Sequence, residues 1–79
     1  MDFSIELTNA EKRTAATNAL NGLEPAVYEA ALNIGIEPAD LADDYTAPGS
    51  DADWPLENRL ADLVARIAAV KAHLAALPA

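Results

Sequence analysis

The feature that most constrains this chain is the spacing of large apolar residues in its last third. Leu56, Leu60, Leu63, Ile67, Val70, Leu74 and Leu77 follow one another at steps of four, three, four, three, four and three. That is an uninterrupted a/d heptad seam, which places all of them along one side of a helix. The spacing predicts a long helix over 55–77. It carries no chemistry of its own, so function has to be argued from what such a helix can pack against.

The same stretch holds a second stripe. Ala61, Ala65, Ala68, Ala72 and Ala75 also step by four and three. At about 100° per residue this stripe is centred roughly 150° from the large apolar seam. The charged residues Glu57, Arg59, Asp62, Arg66 and Lys71 lie on the flanks. Two readings fit: the alanines form a second interface that admits a close neighbour, or alanine fills exposed positions because it is the best helix former.

An earlier stretch repeats the three-and-four spacing. Thr8-Asn9-Ala10-Glu11 matches a capping box, with Leu7 before it as a hydrophobic staple, so a helix is expected from about residue 9. Its apolar side runs through Ala16, Leu20, Leu23, Val27, Ala30 or Ala31, and Ile34. Asn21-Gly22 and Pro25 interrupt it, and proline cannot donate a backbone hydrogen bond. The apolar phase nevertheless continues across the interruption, which predicts a kinked or broken arm, 9–21 and 25–34, lying along one partner. Gly35 fits the stop signal.

Residues 35–54 read as an acidic connector containing Pro38, Pro48 and Gly49. Within it, 38–43 is long enough for one helical turn, with Leu41 and Tyr45 turned to the core. Asp51 or Asp53 is expected to cap the last helix, with Pro55 in its first turn and Trp54 closing the end of the core. Before the first helix, Phe3, Ile5 and Leu7 alternate with polar residues. That pattern reads as an extended arm packing on the helices, or as a strand added to a sheet edge elsewhere.

At about 1.5 Å per residue, residues 9–34 and 55–77 make rods of roughly 39 and 35 Å. The expected fold is all-α: one domain over 1–79, an antiparallel helical hairpin with an extended arm at 1–8. A chain of 79 residues without cysteine buries a marginal core, so oligomerisation or docking on a larger protein is expected to complete it.

Charge narrows the partners. Thirteen acidic and five basic residues give a formal net charge of −8, which disfavours nucleic acid and anionic membrane surfaces as ligands. No apolar run is long enough to span a bilayer. The chain opens Met1-Asp2 with no basic region, so the expectation is a soluble chain without a signal peptide, cytoplasmic or virion-associated.

No catalytic or cofactor constellation emerges. His73 is the sole histidine, and its helical neighbours Ala69, Val70, Ala76 and Leu77 offer neither nucleophile nor orienting acid. Glycines 22, 35 and 49 are scattered rather than gathered into a phosphate loop. Asp51-Ala52-Asp53-Trp54-Pro55 lacks the glycine and the later glutamate of a calcium loop. Neither a cofactor, a metal nor a small-molecule substrate is expected. Asp40, Asp43, Asp44, Asp51 and Asp53 form either a solvated loop or an acidic binding surface that imitates a nucleic-acid backbone. Tyr28 and Trp54 are candidate core or interface anchors.

The segments Leu7-Thr8-Asn9-Ala10-Glu11-Lys12-Arg13, Leu23-Glu24, Tyr28-Glu29-Ala30-Ala31-Leu32-Asn33 and Ile67-Ala68-Ala69-Val70-Lys71-Ala72-His73-Leu74 resemble small bacteriophage helical-hairpin proteins of virion tail and tail-fibre modules. Asn21-Gly22, Pro25 and the Asp/Pro-rich connector depart from that pattern. The resemblance implies a structural or attachment role and carries over no functional residues. The expected function is thus a non-enzymatic assembly or protein-interaction subunit of a phage particle, binding itself or a protein partner. The alternative is a small acidic phage-type inhibitor that binds a basic surface of a host or defence protein.

Overall fold

The structure, a computed structural model, describes residues 6–78. Two helices carry it: α1, Asn9–Asn33, and α2, Pro55–Ala76, with a short 3-10 turn at Pro38–Asp40 between them. Among the described residues there is no strand. The helices pack side by side, and the Arg13 guanidinium near the start of α1 donates to the Pro78 carbonyl just past the end of α2. The hairpin is therefore antiparallel. The alternating pattern at Phe3 and Ile5 lies outside the described residues.

α1 begins as its capping box dictates. The Glu11 backbone N–H donates to the Thr8 hydroxyl at 3.1 Å, and the Thr8 N–H donates to the Glu11 carboxylate at 3.0 Å. This satisfies two of the amides that a helix start leaves unpaired. α1 ends in a Schellman motif: Gly35 has φ +78°, the Ile36 N–H donates to the Ala31 carbonyl, and the Gly35 N–H donates to the Leu32 carbonyl.

Between these ends α1 runs as one helix through Pro25, so of the two expected forms, kinked or broken, the broken one is corrected. Proline removes one helical donor, leaving the Asn21 carbonyl without its usual partner. Asn21 and Pro25 are both exposed, so water can reach that carbonyl. Packing along α2 holds the apolar positions in phase, and the phase outweighs the local breaker.

The buried side chains among the described residues are Ala16, Ala30, Ala31, Leu60 and Val64. Four of them, Ala30, Ala31, Leu60 and Val64, cluster where α1 ends and α2 begins. Val27, Ile34, Ile36, Leu41, Tyr45 and Leu63 pack around that cluster, so Leu41 and Tyr45 do turn inward. Ile36 closes the Schellman turn with the apolar contact that usually accompanies it.

Two expectations at the start of α2 need correction. The residue preceding the helix is Trp54, and neither Asp51 nor Asp53 caps it. Pro55 occupies the first helical position, which its fixed φ suits, and that moves the cap to Trp54. Asp53 instead accepts from the Ser50 hydroxyl, while the Asn58 side chain donates to the Gly49 and Trp54 carbonyls at 3.1 and 2.8 Å. Trp54 does not close the core either. It is 42% exposed, and its indole covers Gly49 so closely that a Cβ there would lie 2.8 Å from Trp54 Cδ1.

The hairpin is thin. Its Cα radius of gyration is 15.0 Å, with extents of 41 × 32 × 17 Å. A compact globule of this length would have a radius nearer about 12 Å.

Candidate functional site

Of the heptad seam, Leu60 is fully buried, Leu63, Ile67, Val70, Leu74 and Leu77 are half-buried, and Leu56 is 50% exposed. The buried face also includes Val64, one position outside the strict a/d pattern. The true apolar face of α2 is therefore the wider stripe of a globular helix rather than a narrow coiled-coil seam.

The alanine stripe faces outward. Ala65, Ala68, Ala72 and Ala75 are exposed and Ala61 is half-buried. On α1, Tyr28 is 56% and Leu32 52% exposed, four residues apart and so on one face. Tyr28 is thus not a core anchor.

Of these residues, Tyr28, Val64, Ile67 and Ala68 meet at a groove of about 350 Å³. Glu24, Val27 and Tyr28 of α1 form one wall, and Val64, Ile67, Ala68 and Lys71 of α2 form the other. Pro38, Leu41, Ala42 and Asp43 of the connector close one side. One residue from each of three separate sequence patterns is brought together here: Ile67 from the seam, Ala68 from the alanine stripe and Asp43 from the acidic connector.

The remaining candidate acids lie elsewhere or beside the groove. Asp40 and Asp44 are exposed on the connector near Asp43, whereas Asp51 and Asp53 belong to the turn that leads into α2. Among the described residues one ion pair forms, Asp62 with Arg66 at 3.0 Å, so none of the connector carboxylates is neutralised by a cation. The Glu11 carboxyl is held below its ordinary range, chiefly by the Thr8 backbone N–H and then by the Thr8 hydroxyl.

A second groove, of about 380 Å³, lies on the other flank of the hairpin. Leu7, Ala15 and Ala19 line it from the first arm, and Val70 and His73 from α2. Tyr28 and Ala19 are nine residues apart, which at about 100° per residue sets them on opposite sides of α1. His73 is exposed at this second groove, away from every candidate acid. Among the described residues, no group of three His, Cys, Asp or Glu side chains is placed to hold a metal ion, and no helix is long and apolar enough to cross a membrane.

Chemically, the groove offers apolar side chains, the small Ala68 on one wall, and the Glu24 and Asp43 carboxylates beside them, which are the elements of a non-covalent docking surface. Sequence reasoning missed the groove because it depends on the path of the connector. Comparison with family models, curated proteins and solved structures returns no match.

Proposed function

We propose that this chain is a non-enzymatic assembly or protein-interaction subunit that works by packing its helices on another protein chain. The observation that supports this reading is the uncovered apolar surface of a hairpin with so little core. Tyr28, Leu32 and, on α2, Ala65, Ala68, Ala72 and Ala75 are exposed, while three of the five buried side chains among the described residues are alanines. Apolar faces left open on a two-helix unit are the usual place for a third element to dock. The setting in a phage particle rests on the resemblance of the helix segments alone.

The test joins two measurements. Absolute mass by light scattering at low and high salt identifies the partner: a multimer that persists in high salt assigns the face to copies of this chain, and a single-copy mass assigns it to a different protein. Replacing Tyr28 and Leu32 by Ser should leave the melting temperature within about 2 °C, as surface changes do. A loss comparable to that of a core truncation would show that these side chains support the fold, and the reading would fall.

The unpaired carboxylates of the connector favour a second reading. In it, the chain is a small acidic inhibitor or nucleic-acid mimic that occupies a basic surface of a host or defence protein. Binding would then weaken with salt and on changing Asp40, Asp43 and Asp44 to Asn.

A further inference from the structure

We infer that the groove between α1, the connector and α2 seats an amphipathic helix of a different protein, with Lys or Arg beside its apolar face. The inference rests on the interaction reading above and specifies its site and the chemistry of its partner.

Three observations converge on that occupant. The inner parts of the walls are apolar, with Val27, Leu41, Val64 and Ile67 among the lining residues, so the ligand must bring large apolar side chains. The α1 and connector side carries Glu24 and Asp43, and no cation pairs with either among the described residues. Lys71 stands on the opposite wall. The ligand therefore sets its basic residues toward α1 and the connector.

A second copy of the chain is disfavoured as the occupant. It would bring a net charge of −8 against a groove rimmed by carboxylates, and like charges in contact are unfavourable. The α2 wall also speaks for a helix. Ala68 lines the groove, and Ala61, Ala65 and Ala72 continue from it at helical spacing with no bulk to hold another helix axis away. Among the described residues there is no strand edge for an extended peptide to join.

The probe is a synthetic helix of about fifteen residues, four turns of α-helix at about 3.6 residues per turn. It carries Leu at a and d positions and Lys elsewhere. A Glu-for-Lys counterpart and a Lys/Ser peptide without Leu serve as comparisons. Each is titrated into the full-length, isotope-labelled chain while backbone amide shifts are followed.

The Leu/Lys peptide should shift amides near Val27–Tyr28, Leu41–Asp43 and Ala68–Lys71, and the other two peptides should not. Ala68→Arg should weaken binding at least about tenfold, a change of about 1.4 kcal/mol. Tyr28→Ser at the facing wall should act in the same direction. Both positions are exposed, and unchanged circular dichroism would show that the fold is kept.

Three results overturn the proposal: no shifts with the Leu/Lys peptide, equal binding of the Leu/Glu peptide or the Leu-free peptide, or shifts centred on Ala15–Ala19 and Ala69–His73. The mass and melting measurements are independent of these titrations. A salt-resistant multimer that ignores every peptide would remove the groove proposal and leave the interaction reading standing.

Discussion

The two ends of the hairpin use the same pair of helices and reach different degrees of burial. At the connector end, Ala30, Ala31, Leu60 and Val64 are buried because Ile36, Leu41 and Tyr45 supply a third wall. At the opposite end, Ala16 is the buried residue among the described ones, and Leu20, Leu23, Val70, Leu74 and Leu77 remain half-buried. The apolar residues are as large at the second end as at the first. What differs is coverage: two helices can shield only the strip between them, and a third segment is needed to enclose a side chain. Burial here follows from the path of the connector.

The sharpest way to break this comparison is to truncate the seam once at each end. Leu60 is fully buried, so Leu60→Ala should cost about 2–5 kcal/mol. Leu74 is half-buried at the same kind of heptad position. It already contacts water, so Leu74→Ala should cost about 1 kcal/mol. Urea unfolding midpoints of the two variants measure the difference. Equal costs would mean that the opposite end is enclosed as well as the connector end.

Pro25 lies between the two halves of α1, and replacing it should narrow their difference. Alanine restores the missing donor and relieves the ring clash, whereas proline lowers the entropy of the unfolded chain. The balance for Pro25→Ala should be a gain of about 1–2 kcal/mol, below the roughly 3 kcal/mol that separates the residues in model helices. Amide hydrogen exchange over 9–24 should slow more than exchange over 60–64. A loss of stability would show that the helix is built around the proline.

Much of this was legible in the sequence where the signal is local. The heptad spacing located α2, Thr8 and Glu11 located the start of α1, and Gly35 located its end, each through a one-dimensional rule. Val64 was missed because a strict a/d reading discards position e, although its spacing of four from Leu60 carries the signal. Pro25 pointed to a kink or a break because local propensity was set against an apolar phase that continues across it, and packing decides such contests in favour of one helix. The cap of α2 was misplaced at the aspartates when Pro55, taken as the first helical residue, already points to Trp54. The groove was not legible at all. Tyr28, Asp43 and Ala68 are distant in sequence, and only the folded connector brings them together.

The capping box offers the smallest effect and the finest test of whether the two ends behave independently. Thr8→Ala removes the hydroxyl acceptor at the start of α1 and should cost about 1 kcal/mol. The Glu11 partner adds a pH dependence whose sign is determined. Its folded pKa lies below the ordinary value of 4.5, so its stabilisation is complete above that value and is lost as pH falls through the folded pKa. Acidification also relieves the repulsion that comes with a net charge of −8, which acts in the opposite direction. The informative quantity is therefore the difference between the parent chain and Glu11→Ala, which should shrink below about pH 4.5 as the carboxylate protonates. Hydrogen exchange should show the change in the first turns of α1, with Leu60 and Val64 amides unaffected. If those amides lose protection in step with the first turn, the hairpin opens as one cooperative unit, and the unequal burial of its ends does not translate into unequal local stability.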